Sequence, residues 1–381
     1  EHEHEPAVDR AVAGDHAVTQ VAIAIEAEVA RAVSHERVEL DERFGIEQQV
    51  YALARRELAA LVLLLDARLA SAEQRFGAQR SQAFDVGVSF PFDRRLFEDD
   101  VAGSLAWAEA LARVKVHTKF VPDLDSLSTL AKDDVRNVID RSLRRLDMER
   151  LDLVQFHWWD YDIPGFLEAA SWLNELRQEG KIGLLGGTNL DTPHTEQLLA
   201  AGFPLASMQV QYSLLDARPE HGLAGLCALN DVHLLCYGSV AGGFLADRWL
   251  GKSEPLPPFG NRSLTKYKLI IDDFGGWDLF QSLLRVLRTT ADRHGTDIAT
   301  VASRAILDRP QVAAVIVGAR NALHLASNLK IMELQLTAED HSEIDAILAR
   351  RKGPAGDTFT LERDRGGRHG SIMKYNLNRT A

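Results

Sequence analysis

The sequence predicts an α/β protein whose six or seven strand–helix units fit a closed (β/α) barrel of the TIM type better than an open sheet, preceded by a helical appendage. Three observations carry this. From Ser81 onward, short apolar runs alternate with helical patterns. The runs are apolar nearly throughout, as strands are when both faces of a sheet are covered. Several end on a polar residue, among them Lys119 and His157, and the C-terminal ends of parallel strands are where catalytic groups collect.

Residues 1–80 read as the appendage. Val18 to Val33 mixes apolar and charged residues on a helical period, and Gln49 to Arg75 places Val50, Leu53, Leu58, Leu61, Leu65 and Leu69 on one broad face. Such helices cover part of a main domain or form a contact between copies, so a homo-oligomer joined through them is one expectation. The opening His2-Glu3-His4-Glu5 is either a metal-binding tail or a solvated one. The second unit, residues 81–381, begins with a strand, Ala83 to Phe90, and a helix, Leu96 to Arg113. Strands then end near Lys119, His157, Asn189, Gln209, Tyr237 and Gly318. Helices fall near 133–146, 165–179, 192–201, 220–230, 277–294 and 321–330. Strand–helix–strand units at this spacing imply parallel pairing with right-handed crossovers. Gly238 to Gly276 breaks the rhythm and reads as a long loop at the mouth of the barrel. The glycine-rich, basic tail from Gly353 onward is expected to lie over the surface.

Composition narrows the function. The net charge of −12 argues against a nucleic-acid or anionic-membrane surface. The longest apolar run, Leu58 to Leu65, is under half of the roughly 20 residues that cross a bilayer. The chain opens on acidic residues and histidines rather than a secretory pattern. Its two cysteines, Cys227 and Cys236, are too few for a disulfide framework or a zinc site, so a reducing, cytoplasmic setting is expected.

In a barrel, Lys119, His157, Thr188-Asn189, Gln209 and Tyr237-Gly238-Ser239 share one mouth. A lysine there stabilises an anion or lowers the pKa of a neighbouring acid. A histidine polarises a carbonyl or moves a proton. Asparagine and glutamine amides hold a planar carboxamide, and a tyrosine ring stacks on a flat heterocycle. The set suits a nicotinamide ring beside a carbonyl substrate.

From about Val114 to Asn378 the chain resembles the aldo-keto reductases. The stretches VHTKF, DLVQFHWWD, GKIGLLGGTNL, MQVQYSLLD, LLCYGSVAGGFL and AAVIVGARNALHLASN carry the resemblance, in family order. It implies a (β/α)8 barrel that reduces a small-molecule carbonyl with NADPH and without a metal. It implies Lys119 and His157 as catalytic residues, Thr188, Asn189 and Gln209 around the nicotinamide carboxamide, and Tyr237 beneath the ring. Gly238, Ser239 and Val240 match the pyrophosphate-facing loop; Gly318, Arg320, His324 and Asn328 match the segment that grips the adenosine end. Arg320 is placed for a 2′-phosphate, with ordinary surface arginine as the alternative. The helix expected to start near Asn321 would offer free N–H groups to an anion. The preference for NADPH over NADH rests on Arg320.

Two departures stand out. The family places a catalytic aspartate and then a proton-donating tyrosine ahead of the lysine. Here Asp85 matches the aspartate, but Phe90 stands at the tyrosine position, and phenylalanine cannot act as a general acid. The family's first barrel strand is also not visible, with helices in its place, so the (β/α)8-type TIM barrel is expected to be incomplete at its N-terminal strand. Phe92 to Leu96 and Asp100 to Ser104 are similar to N-terminal parts of argininosuccinate lyases, as are Gln48-Gln49-Val50 and the helix after them. The order of these pieces differs from the lyases', and the lyase catalytic loop is absent, which excludes that activity.

The reading is an NADPH-linked oxidoreductase in which His157 polarises the carbonyl oxygen and Lys119 tunes the proton donor. Trp158, Trp159 and the loop after Tyr237 would line the substrate pocket, or the tryptophans pack the rim. The alternative is a nicotinamide-nucleotide-binding sensor or accessory subunit with little turnover, which the missing tyrosine favours.

Overall fold

The computed structural model describes residues 115–146, 148–318 and 324–378, together with two further strands, Gln20–Ala24 and Gly87–Ser89. Asp85, Phe90, Arg320 and most of the expected N-terminal helices lie outside the described residues.

Eight strands close into a barrel in chain order. They are β1 (Gln20–Ala24), β2 (Gly87–Ser89), β3 (Lys115–Phe120), β4 (Leu151–Phe156), β5 (Ile182–Thr188), β6 (Leu205–Gln211), β7 (His233–Tyr237) and β8 (Val312–Gly318). Every pairing between neighbours is parallel, including that of β1 with β8, which runs from Gln20 opposite Ala314 to Ala24 opposite Gly318. The barrel is therefore not incomplete at its first strand, and the helix expected over Val18 to Val33 is corrected at these five residues. Gln-Val-Ala-Ile-Ala alternates with period two as well as it fits a helical face. Hydrogen bonds to two neighbouring strands decide between the readings.

The helices follow the expected rhythm: α1 (Lys132–Leu146), α2 (Phe166–Gln178), α3 (Thr192–Ala200), α4 (Leu223–Leu229), α5 (Arg262–Phe274), α6 (Trp277–Arg293), α7 (Ile298–Leu307), α8 (Leu325–Glu333) and α9 (Ala338–Leu348). Their starts are chemically marked. Asp191, Asn261 and Asp297 each accept a hydrogen bond from a backbone N–H of the first turn, and Thr337 with Asp340 forms a reciprocal capping box. The stretch expected as one long loop, Gly238 to Gly276, contains α5. Tyr267, Ile270, Ile271 and Phe274 of that helix are buried, a helical spacing obscured by the glycines and prolines before it.

Most of the core lies between the outside of the barrel and the helices. A small second cluster, Leu153, Leu235 and Ala314, plugs the barrel interior. Above it the inward positions turn polar, because side chains alternate across each strand: Leu153, Gln155 and His157 share one face, as do Leu235 and Tyr237.

The segment after α9 does not merely lie over the surface. Phe359, Glu362 and His369 are buried. Glu362 accepts two hydrogen bonds from Arg218, at 2.8 and 3.0 Å, and Arg218 also pairs with Asp216; all three are at most 1% exposed. His369 meets Asp273 at 2.7 Å. The backbone N–H groups of Leu377 and Asn378 both donate to Asp123 Oδ1, beyond the end of β3. Charges run both ways across this contact, the tail's Glu362 taking Arg218 and its Arg368 and His369 taking the half-buried Asp273, which a composition reading cannot see. Among the described residues no helix is long and apolar enough to cross a membrane.

Candidate active site

Strand register brings the expected residues to one end of the barrel. Lys119 on β3 is opposite Gln155 on β4, two residues before His157, and the His157 N–H donates to the Phe120 carbonyl at 3.1 Å. Thr188 on β5 is opposite Gln209 on β6, and the Asn189 N–H donates to the Gln209 carbonyl at 2.9 Å. Gln211 pairs with Tyr237 on β7, and Tyr237 donates its hydroxyl to Asn189 Oδ1 at 3.0 Å. His157, Thr188 and Gln209 are buried, whereas Lys119, Asn189 and Tyr237 are half-buried. Asn189 has φ of 56°, a left-handed conformation that asparagine tolerates better than most residues and that recurs at functional sites.

His157 is the most constrained of these groups. Its Nδ1 lies 2.8 Å from the Thr188 carbonyl. A carbonyl oxygen only accepts, so Nδ1 carries the proton. Burial lowers the pKa of the ring to about 3, helped by the nearby Arg363 charge and opposed by the Thr188 hydrogen bond. The ring is therefore neutral at ordinary pH, and Nε2 presents a lone pair. Nε2 is buried and has no hydrogen-bond partner among the described residues. Such an atom has a use for a donor, and an alcohol hydroxyl is one. A bare carbonyl oxygen, itself an acceptor, would need a proton at Nε2.

Aromatic side chains wall the space beside this ring. Trp159 meets it edge-on with centroids 4.4 Å apart, Phe359 at 5.5 Å, and Tyr375 packs on Trp159 at 5.3 Å. The expectation that Trp158 lines the substrate pocket is corrected. Trp158 is fully buried on the opposite side of the strand, packed against Phe156 and Phe166, because neighbours in an extended chain point to opposite faces. Phe359 and Tyr375 were missed by sequence reasoning, since they follow the last barrel strand. So was Arg363, whose guanidinium donates to the Trp158 and Asn189 carbonyls and to the Tyr161 hydroxyl.

The loop after β7 is shaped by glycine. Gly238 has φ of 76°, and a Cβ there would lie 2.2 Å from the Tyr267 hydroxyl; at Gly242, with φ of 63°, it would lie 2.7 Å from the Tyr267 ring. Ser239 is buried with its hydroxyl 3.0 Å from that of Ser303 on α7. Val240 is half-buried. At the far end, Gly318 and His324 are exposed and the Asn328 amide reaches the Gly318 carbonyl at 3.4 Å. Helix α8 is described from Leu325, and Asn321, near which its start was expected, lies outside the described residues.

The comparisons with known proteins agree with the barrel fold. The aldo/keto reductase family model matches residues 96–349, and the chain belongs to that family. The match takes in Leu96 and Asp100 to Ser104, part of the stretch likened to the lyases. Among curated relatives, flagellar radial spoke protein 5 of Chlamydomonas reinhardtii is 29% identical over 42% of this chain and 34% of its own length. An NADH-specific methylglyoxal reductase of Escherichia coli is 26% identical over 62% of this chain and 69% of its own. An aldo-keto reductase of Bacillus subtilis is 27% identical over 58% and 65% respectively, so the chain spans a third to about two thirds of the length of these relatives. Among solved structures, a glycerol dehydrogenase from Gluconobacter oxydans superposes with a TM-score of 0.56 at 25% identity, covering 72% of this chain and 84% of the other.

Proposed function

We propose that the protein is a nicotinamide-nucleotide-linked oxidoreductase that interconverts a small carbonyl compound and its alcohol, with NADPH as the preferred donor. The observation that carries the reading is the buried Nε2 of His157, which has no hydrogen-bond partner among the described residues and lies in the same mouth as Lys119, Asn189, Gln209 and Tyr237. The nucleotide would supply or accept the hydride. Asn189 and Gln209 offer amides to its carboxamide, Tyr237 a ring face, the Gly238-Ser239-Val240 turn a cradle for the pyrophosphate, and Gly318, His324 and Asn328 the adenosine end. His157 Nε2 would accept the hydroxyl proton of the alcohol in a hydrogen bond and so orient the carbon it is attached to. With so low a pKa it orients the oxygen rather than carrying its proton away. In the reducing direction hydride adds to the carbonyl carbon, Lys119 supplies positive charge to the oxygen as it becomes an alkoxide, and water at the mouth supplies the proton that completes the alcohol; oxidation returns that proton to water. Asp85 is assigned as the partner of that lysine by family position. The acidic chain with its apolar, aromatic-walled mouth suits a small neutral substrate in the cytoplasm.

The cofactors of similar proteins differ: the Escherichia coli methylglyoxal reductase is NADH-specific, and a solved aldo/keto reductase from Klebsiella pneumoniae is in complex with NADP. The NADPH preference proposed here rests on Arg320. Titration of the protein with NADPH and NADH, read by nicotinamide fluorescence, and turnover assays in both directions over a panel of aldehydes, ketones and alcohols test the proposal. Tighter binding of NADPH with measurable turnover supports it. Binding without turnover favours the second reading, a nucleotide-binding sensor or accessory subunit, for which Phe90 at the tyrosine position speaks. Absence of binding refutes both.

A further inference from the structure

Residues 353–378 enter the site from outside the barrel, and Arg363 is where they grip it. This side chain comes from a single helical turn, Thr360–Arg363. Its Nη1 donates to the Asn189 carbonyl at 3.0 Å, and its Nη2 donates to the Trp158 carbonyl at 2.9 Å and to the Tyr161 hydroxyl at 2.7 Å. The guanidinium lies 4.3 Å above the centre of the Tyr161 ring and 5.5 Å from that of Phe359. Trp158 directly follows His157, and Asn189 directly follows Thr188, whose carbonyl holds the His157 ring.

We propose that Arg363 is a positioning residue. By bonding the Trp158 and Asn189 carbonyls with one rigid fork, it fixes the end of β4 that carries His157 against the end of β5 that carries Thr188 and Asn189. The planar guanidinium can bond two carbonyls from different strands at once, a geometry the single ammonium of lysine does not reproduce. Without the fork, each strand end relaxes separately. The Nδ1–H···O bond between His157 and Thr188 then loosens, and Nε2 loses its fixed aim into the mouth. The inference rests on the proposed reaction for its consequence but not for its geometry, and its test has a readout for each.

The first readout is the Nδ1 proton of His157, observed by nitrogen-15 NMR of the imidazole region and assigned by its loss in His157→Gln. In the wild type this proton is protected. In Arg363→Met it is lost, or exchanges with water about tenfold faster or more, the change expected when a charge-assisted hydrogen bond disappears. Arg363→Lys keeps the charge and the stem and serves if the methionine variant does not fold; it too speeds the exchange. An unchanged resonance in a folded variant overturns the proposal, as does a wild type lacking the signal. The second readout is kinetic. A misplacement of about 1 Å costs on the order of 100-fold in kcat, while KM for the carbonyl substrate stays within about threefold. A purely structural role would instead lower the fraction of active protein and leave kcat per active site unchanged, which also overturns the proposal. A wild type without turnover refutes the reaction proposed above and leaves the resonance test intact.

Discussion

Glu362 is the residue on which the attachment of the C-terminal segment turns, and Glu362→Gln tests it. The carboxylate is buried and bonds Arg218 through both oxygens. Burial alone would push its pKa up; the Arg218 guanidinium overrides this and brings it from 4.5 down to about 2. A group whose pKa is lower in the folded state stabilises that state in full above its unfolded value. The stabilisation is lost as pH falls from there through the folded value. A shift of this size corresponds to about 3 kcal/mol at neutral pH. That agrees with the roughly 3–5 kcal/mol lost when one partner of a buried ion pair is removed. Glutamine keeps the volume and one acceptor but not the charge, and it leaves Arg218 with Asp216 alone. Urea unfolding followed by tryptophan fluorescence should show the variant about 3 kcal/mol less stable at pH 7. The gap should narrow below pH 4.5 and close near pH 2. Trp159 packs against Phe359 and Tyr375, so an early emission change in the variant would report undocking of this segment ahead of the barrel. A gap of less than about 1 kcal/mol at pH 7, or one that is the same at pH 7 and pH 3, would refute the reasoning.

Two further outcomes follow from local geometry. Gly238→Ala puts a Cβ against the Tyr267 hydroxyl and asks alanine to hold φ of 76°; nucleotide affinity should fall about tenfold or more, with partial recovery in the double variant with Tyr267→Phe, read by NADPH fluorescence. Thr337→Val removes the side-chain half of the capping box at the start of α9 while keeping the volume; it should cost about 1 kcal/mol in urea unfolding with no change in kcat, and an unchanged midpoint would contradict the capping argument.

Much of the barrel was legible because its strands announce themselves twice, by apolar runs and by the polar residue at each end. Lys119, His157, Asn189, Gln209 and Tyr237 were recognisable singly, and parallel register then placed them together without further information. The first strand was not legible, since five residues of alternating small and branched side chains satisfy a helix and a strand alike. Only the hydrogen bonds to β2 and β8 separate the two. Helix α5 was hidden by the glycines and prolines that precede it. The wall made by Phe359 and Tyr375, and the grip of Arg363, were out of reach for a different reason. They depend on contacts between residues about 170 to 220 apart in the chain, and no local pattern encodes such pairs. The tautomer of His157 belongs with them. It is set by one carbonyl on the next strand, and it turns a residue expected to donate into one that accepts.

The late position of the aromatic wall bears on how the molecule is made. A ribosome releases β3 to β8 well before Phe359 and Tyr375 emerge, so a nascent chain with these six strands already formed still leaves the face of the His157 ring bare to water. The wall beside the His157 ring is thus added after the strands that hold the ring, and a premature stop after α9 would release a protein with β3 to β8 in place but that face of the ring uncovered.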